Sequence, residues 1–131
     1  MSSDRTIVFT EDAVPPLPIY SQAVVSAGNV YASGNIGITR DMKLVDGGVQ
    51  EQTRTALKNL AIILKASGSG LEHILKVNIY LTDLKRDFIP MNEVYAEFFE
   101  TGNFPARTCI GVAALPLGAD VEIECIAAVA K

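Results

Sequence analysis

An α+β fold, one mixed β-sheet with two helices packed on one of its faces, is what this sequence predicts. Three observations lead there: two segments of helical periodicity, several short runs that alternate, and apolar residues on both sides of those runs. At 131 residues the chain reads as a single domain over residues 1–131, long enough to bury about two-thirds of its unfolded surface.

Thr6 to Phe9 reads as a short edge strand. Ala13 to Ile19 is extended, because Pro15, Pro16 and Pro18 exclude both helix and ladder pairing. Ala23 to Ala27 and Val30 to Ser33 form a hairpin around Gly28-Asn29, a pair that tolerates positive φ. Gly34-Asn35-Ile36-Gly37 then interrupts the second strand, which implies either a bulge or a backbone that another group approaches closely. After a polar loop, a helix runs from about Val49 to Ala66. Val49, Ala56, Leu57, Leu60, Ile63 and Leu64 form its apolar stripe, with Glu51, Gln52, Lys58, Asn59 and Lys65 on the wet side.

Ser67-Gly68-Ser69-Gly70 ends that helix. Ile74 to Thr82 alternates as a strand, with Leu75, Val77, Ile79 and Leu81 on one face. Asp83 to Arg86 turn, Asp87 caps a second helix, and Pro90 fits its first turn. Met91, Val94, Tyr95, Phe98 and Phe99 supply an apolar stripe that suits core packing, and the helix ends at Gly102. Two runs close the chain, Phe104 to Val112 and Asp120 onward. With Leu115-Pro116-Leu117-Gly118 between them they read as a β-hairpin.

Composition narrows the function. Hydrophobic residues make up 49% of the chain, yet no apolar run approaches the roughly 18 residues of a membrane span. With helices on one sheet face only, the apolar residues of the other face need a partner subunit, so an oligomer is expected. The net charge is −4 and the 11 basic residues are scattered, a poor footprint for nucleic acid. Neither GxxxxGK nor GxGxxG occurs, and one histidine with two separated cysteines is too few for a zinc site. No metal site is expected. Met1 to Thr6 carries no leader pattern, and Cys109 and Cys125, read as pointing to opposite faces of the hairpin, are not expected to pair. Reduced thiols suit a cytoplasmic protein.

The candidate chemistry lies in the closing hairpin. Alternation puts Arg107, Cys109 and Gly111 on one face, and Glu122 with Glu124 on one face of the last run. Pairing about Pro116 would set Arg107 or Cys109 across from Glu122. A guanidinium entering an apolar strand needs an anion, either structural (Glu122 or Glu124) or the carboxylate of a ligand. The two glutamates are either a solvated edge or carboxylates beside a buried patch, where desolvation would raise the pKa and Arg107 would oppose it. Cys109 as a nucleophile would need His73, far along the chain.

Four motifs, Tyr20-Ser21-Gln22-Ala23, Ser33-Gly34-Asn35-Ile36-Gly37, Phe104-Pro105-Ala106-Arg107 and Val121-Glu122-Ile123-Glu124, resemble in order and spacing those of the RidA (YjgF) family. Ala56 to Leu60 and Lys76 to Asp83 are similar to that family as well. The resemblance implies a chorismate-mutase-like α+β fold, a homotrimer with clefts between subunits, and cofactor-free hydrolysis of reactive enamines and imines such as 2-aminoacrylate and 2-iminobutyrate to 2-oxo acids and ammonia. It implies that Arg107 binds the substrate carboxylate and that Glu122 serves the water and the leaving amine. Cys109 would line the pocket, and Tyr20, Ser33 and Gly34 would close it, with Asn35 beside them. Two positions depart from the family pattern: Pro18-Ile19 replaces its usual Gly-Pro, and Asn35 replaces its usual glutamine. Also attached to the family are RNA cleavage and non-catalytic binding of small carboxylates or client proteins.

Overall fold

The structure, a computed structural model, describes residues 4–131; Met1 to Ser3, part of the stretch read as leaderless, lie outside them. Six strands, β1 (Thr6–Val8), β2 (Ala23–Ser26), β3 (Asn29–Ile36), β4 (Ile74–Leu81), β5 (Ala106–Gly111) and β6 (Val121–Ala128), form one mixed sheet in the order β1-β2-β3-β6-β4-β5. Helices α1 (Gly48–Ala66) and α2 (Leu84–Ala96) pack on one face, as the alternation and the helical stripes require. All six residues of the predicted α1 stripe are buried, against Val77, Ile79, Val121 and Ile123 of the sheet. Each fully buried Leu or Ile contributes about 1.5–3 kcal/mol. Among the described residues no helix is long and apolar enough to cross a membrane.

The predicted closing hairpin does not form. β4 lies between β5 and β6, parallel to the first and antiparallel to the second. The cause is α2: a helix packed on the sheet between two strands returns the second strand parallel to the first, which leaves β5 at the edge. The long apolar β6 then fills the space between β3 and β4. Both cysteines therefore face the helices, Cys109 opposite Ile79 and Cys125 opposite Val77, correcting the opposite-face expectation. Both thiols are free.

Local corrections follow from register. The β2–β3 turn is Ala27-Gly28, both at positive φ, rather than Gly28-Asn29. A register shift between Ile74 and Lys76 turns Leu75 outward, 49% exposed, off the face expected for it. Asp83 caps α2 by accepting from Arg86 N–H at 3.1 Å, so Pro90 lies inside the helix. Asp87 is instead buried and clamped by two hydrogen bonds from Arg86, both at 2.9 Å. Gln52, placed on the wet side by periodicity, is buried. Its amide pairs twice with Asp120, at 3.0 and 2.8 Å, tying α1 to the start of β6.

Opposite the helices the sheet is uncovered. Ile7, Tyr31 and Ile110 stand on that open face at 45–59% exposure, alongside Glu122 and Glu124.

Candidate functional site

The interruption in β3 is both of the things the glycines suggested. A register shift falls between Ala32 and Asn35. A Cβ on Gly34 would stand 2.6 Å from Glu122 Oε2, and one on Gly37 would stand 2.4 Å from the α1 backbone at Gln52. Any larger residue at position 34 would push the Glu122 carboxylate out of its place.

That carboxylate opens into a cavity of 490 Å³, which Tyr20, Ser33, Gly34 and Asn35 also line. Five of the predicted site residues thus meet. The cavity wall on the far side is the proline-bearing arm from Val14 to Leu17, and Gln22 holds it there. Gln22 is buried, accepts from Thr10 N–H at 2.7 Å and donates to the carbonyls of Thr10 and Val14 at 3.0 and 2.9 Å. Ser33 donates its hydroxyl to the Ser21 carbonyl, and the Asn35 amide folds back on the Ser33 carbonyl at 2.9 Å. Glu122 has no hydrogen-bond partner among the described residues. Burial first, and the neighbouring Glu124 second, push its pKa above the usual carboxylate value. Arg107 does not oppose the shift, because it is elsewhere. Glu124 accepts from Asn78 and the Tyr80 hydroxyl, each at 3.0 Å, and is committed to the sheet.

Arg107 projects to the helix side of edge strand β5, opposite Val77. Glu122 lies beyond β4 on the other face, so within one copy the expected convergence with Arg107 or Cys109 does not occur. The guanidinium lies 4.9 Å over the Tyr95 ring and 5.8 Å from Phe88, and it donates to Asn92 Oδ1 at 2.8 Å. No carboxylate of the described residues pairs with it, so neither Glu122 nor Glu124 is its structural anion. A second hollow of 280 Å³ beside it is lined by Asn92, Tyr95, Phe104 and Pro105. Burial drives the Tyr95 hydroxyl up to about 12 against the opposing pull of Arg107, and that hydroxyl has no partner among the described residues.

Asn92 and the seat formed by Phe88 and Tyr95 were not legible as site residues. Phe88, Asn92 and Tyr95 follow at i, i+4 and i+7 on one helix face, so an amide within an aromatic stripe was the available signal. Cys109 packs against the core and lines neither cavity. Burial raises its pKa although Arg107 lowers it, which keeps it a thiol. His73 precedes β4 while Cys109 pairs with Ile79, about 17 Å further along the strand, so no Cys-His couple forms. Among the described residues no three His, Cys, Asp or Glu side chains cluster as a metal set.

Comparison with known proteins adds a second line. Residues 10–129 match the family described as Endoribonuclease L-PSP. A rat protein named 2-iminobutanoate/2-iminopropanoate deaminase is 44% identical over 124 residues, 94% of this chain and 89% of that protein. Yeast Mmf1 superposes with a TM-score of 0.90 at 44% identity, covering 95% of this chain and 98% of that one. E. coli TdcF, solved with bound serine, superposes at 0.86 with 35% identity, covering 94% and 98%.

Proposed function

The chain belongs to the RidA (YjgF) family, and from that membership we propose that it hydrolyses 2-imino acids and their enamine tautomers to 2-oxo acids and ammonia. The observation that carries this reading is a pair of groups lacking an ionic or donor partner among the described residues: a guanidinium with no carboxylate and a carboxylate with no donor, on opposite faces of one sheet. Two copies complete what one cannot. A homotrimer that covers the open face brings Arg107 of one copy to the Glu122 cavity of the next.

In that composite cleft Arg107 takes the substrate carboxylate through its fork, held by Asn92 and seated on Tyr95. Water adds to the C=N carbon, and the carbinolamine collapses with loss of ammonia. Glu122, its pKa raised, accepts the proton of the attacking water and returns it to the departing nitrogen. The imine carbon is already electrophilic, so positioning and proton management suffice without a cofactor. Ser33, Gly34 and Tyr20 close the cleft around Glu122, and Asn35 braces its floor. The deaminase name of a relative and the serine bound to another both fit a carboxylate-anchored substrate. Two free thiols fit a reducing compartment such as the cytoplasm. The family description names an endoribonuclease, but a net charge of −4 with scattered basic residues supports RNA binding poorly.

Decay of the imine released from threonine or serine by a dehydratase, followed by ultraviolet absorbance, tests the proposal. Wild type accelerates decay. Arg107→Ala lowers kcat/KM about 10- to 100-fold, as loss of a charge-assisted contact of about 1.5–3 kcal/mol requires. Decay equal to buffer in both would overturn the deaminase reading for these substrates and leave a carboxylate-binding trimer.

A further inference from the structure

We propose that the cavity beside Glu122 receives the side chain of the imino acid, and that this protein prefers imines with branched, medium-length aliphatic side chains over the three-carbon imine. The inference rests on the deaminase reading and extends it to substrate class.

Size is the first argument. A three-carbon imino acid has few heavy atoms and occupies under about 200 Å³ even at a water's liquid volume per atom, roughly 30 Å³. The cavity holds 490 Å³, and the substrate's carboxylate goes outside it, to Arg107 of another copy. A small imine would leave most of that space to water against apolar walls.

Chemistry is the second. Val14, Leu17, Ile36, Ile38, Met42 and Leu117 dominate the lining. Three of the polar side chains among them are already engaged, Gln22 with the arm, Ser33 with Ser21, and Asn35 with its own turn, which leaves the Tyr20 hydroxyl at the rim beside Glu122. The short Asn35 amide is spent on the Ser33 carbonyl and does not reach into the pocket as a free donor. Beyond Glu122 and the Tyr20 hydroxyl, the pocket offers a ligand chiefly apolar contact. Leu17, Met42 and Leu117 are 38–56% exposed at its mouth, surface that an aliphatic side chain would cover.

Preformation is the third. Gln22 pins the arm at Thr10 and Val14, so the pocket exists before ligand arrives and little ordering opposes binding. A methylene in such a pocket is worth about 10- to 200-fold in discrimination.

The test generates imines in place from alanine and from leucine with an amino acid oxidase and measures, by competition with semicarbazide trapping, kcat/KM for each. The leucine-derived imine is expected to react at least about tenfold faster. Leu17→Asp, at a position exposed enough to leave folding intact by circular dichroism, is expected to cut the leucine-to-alanine ratio about tenfold. An alanine-derived imine turned over as fast or faster overturns the preference while leaving the deaminase reading standing. A ratio unchanged in Leu17→Asp overturns the assignment of the preference to this cavity. Absence of turnover with both imines overturns the deaminase reading and this inference with it.

Discussion

Glu122 carries the most specific electrostatic consequence at the scale of single residues. Half-buried beside Gly34, without a donor among the described residues and next to Glu124, it holds its proton to higher pH than an ordinary carboxylate. The native state therefore binds that proton more tightly than the unfolded chain, whose glutamates titrate near about 4.3. Stability consequently falls as pH rises from there through the raised native value, and is level beyond both. Glu122→Gln removes this dependence. Melting temperatures of both proteins between about pH 3.5 and 7 are expected to show wild type losing ground to the variant as pH rises. A wild type that gains on the variant over that range would contradict the assignment. Gly34 belongs with Glu122, because an added Cβ meets the carboxylate itself.

Among the elements, the arm from Val14 to Leu17 has no ladder of its own; beside the packing of Val14 on Ile36 and Ile38, Gln22 supplies its side-chain hydrogen bonds. Gln22→Leu keeps the volume but strands the Thr10 N–H and the Val14 carbonyl, an expected cost of about 1–3 kcal/mol. A fall in Tm of about 5–15 °C should follow, with faster hydrogen exchange at Thr10. Unchanged exchange there would show that the arm is held by its prolines and not by Gln22. The strands illustrate how far local pattern reaches. Alternation in β6 placed Glu122 with Glu124 and Val121 with Ile123 correctly. The short connection between β5 and β6 suggests adjacency, yet α2 commits β5 to the far side of β4. Gln52 departs for a related reason: periodicity assigns a face, and only the fold supplies the half-buried Asp120 that makes an amide welcome there.

For the whole molecule, the open sheet face is the surface the proposed trimer would cover. Tyr31 and Ile110 stand exposed on it at 45% and 46%, on strands separated by β6 and β4. The double variant Tyr31→Lys, Ile110→Lys removes no core packing and should give a folded monomer by sedimentation and circular dichroism. If the site is shared between copies, activity disappears with the assembly. A monomer that retains full activity would refute the shared site. What the chain determined by itself was the set of local geometries: two helices, the alternation of six strands, the glycine-marked break in β3, and the motifs that carry Arg107 and Glu122. These depend on dihedral preferences and side-chain periods that neighbouring residues set. Strand order depended on where α2 could bury its stripe, a long-range packing choice with no local signature. That choice alone put Arg107 and Glu122 on opposite faces of the sheet.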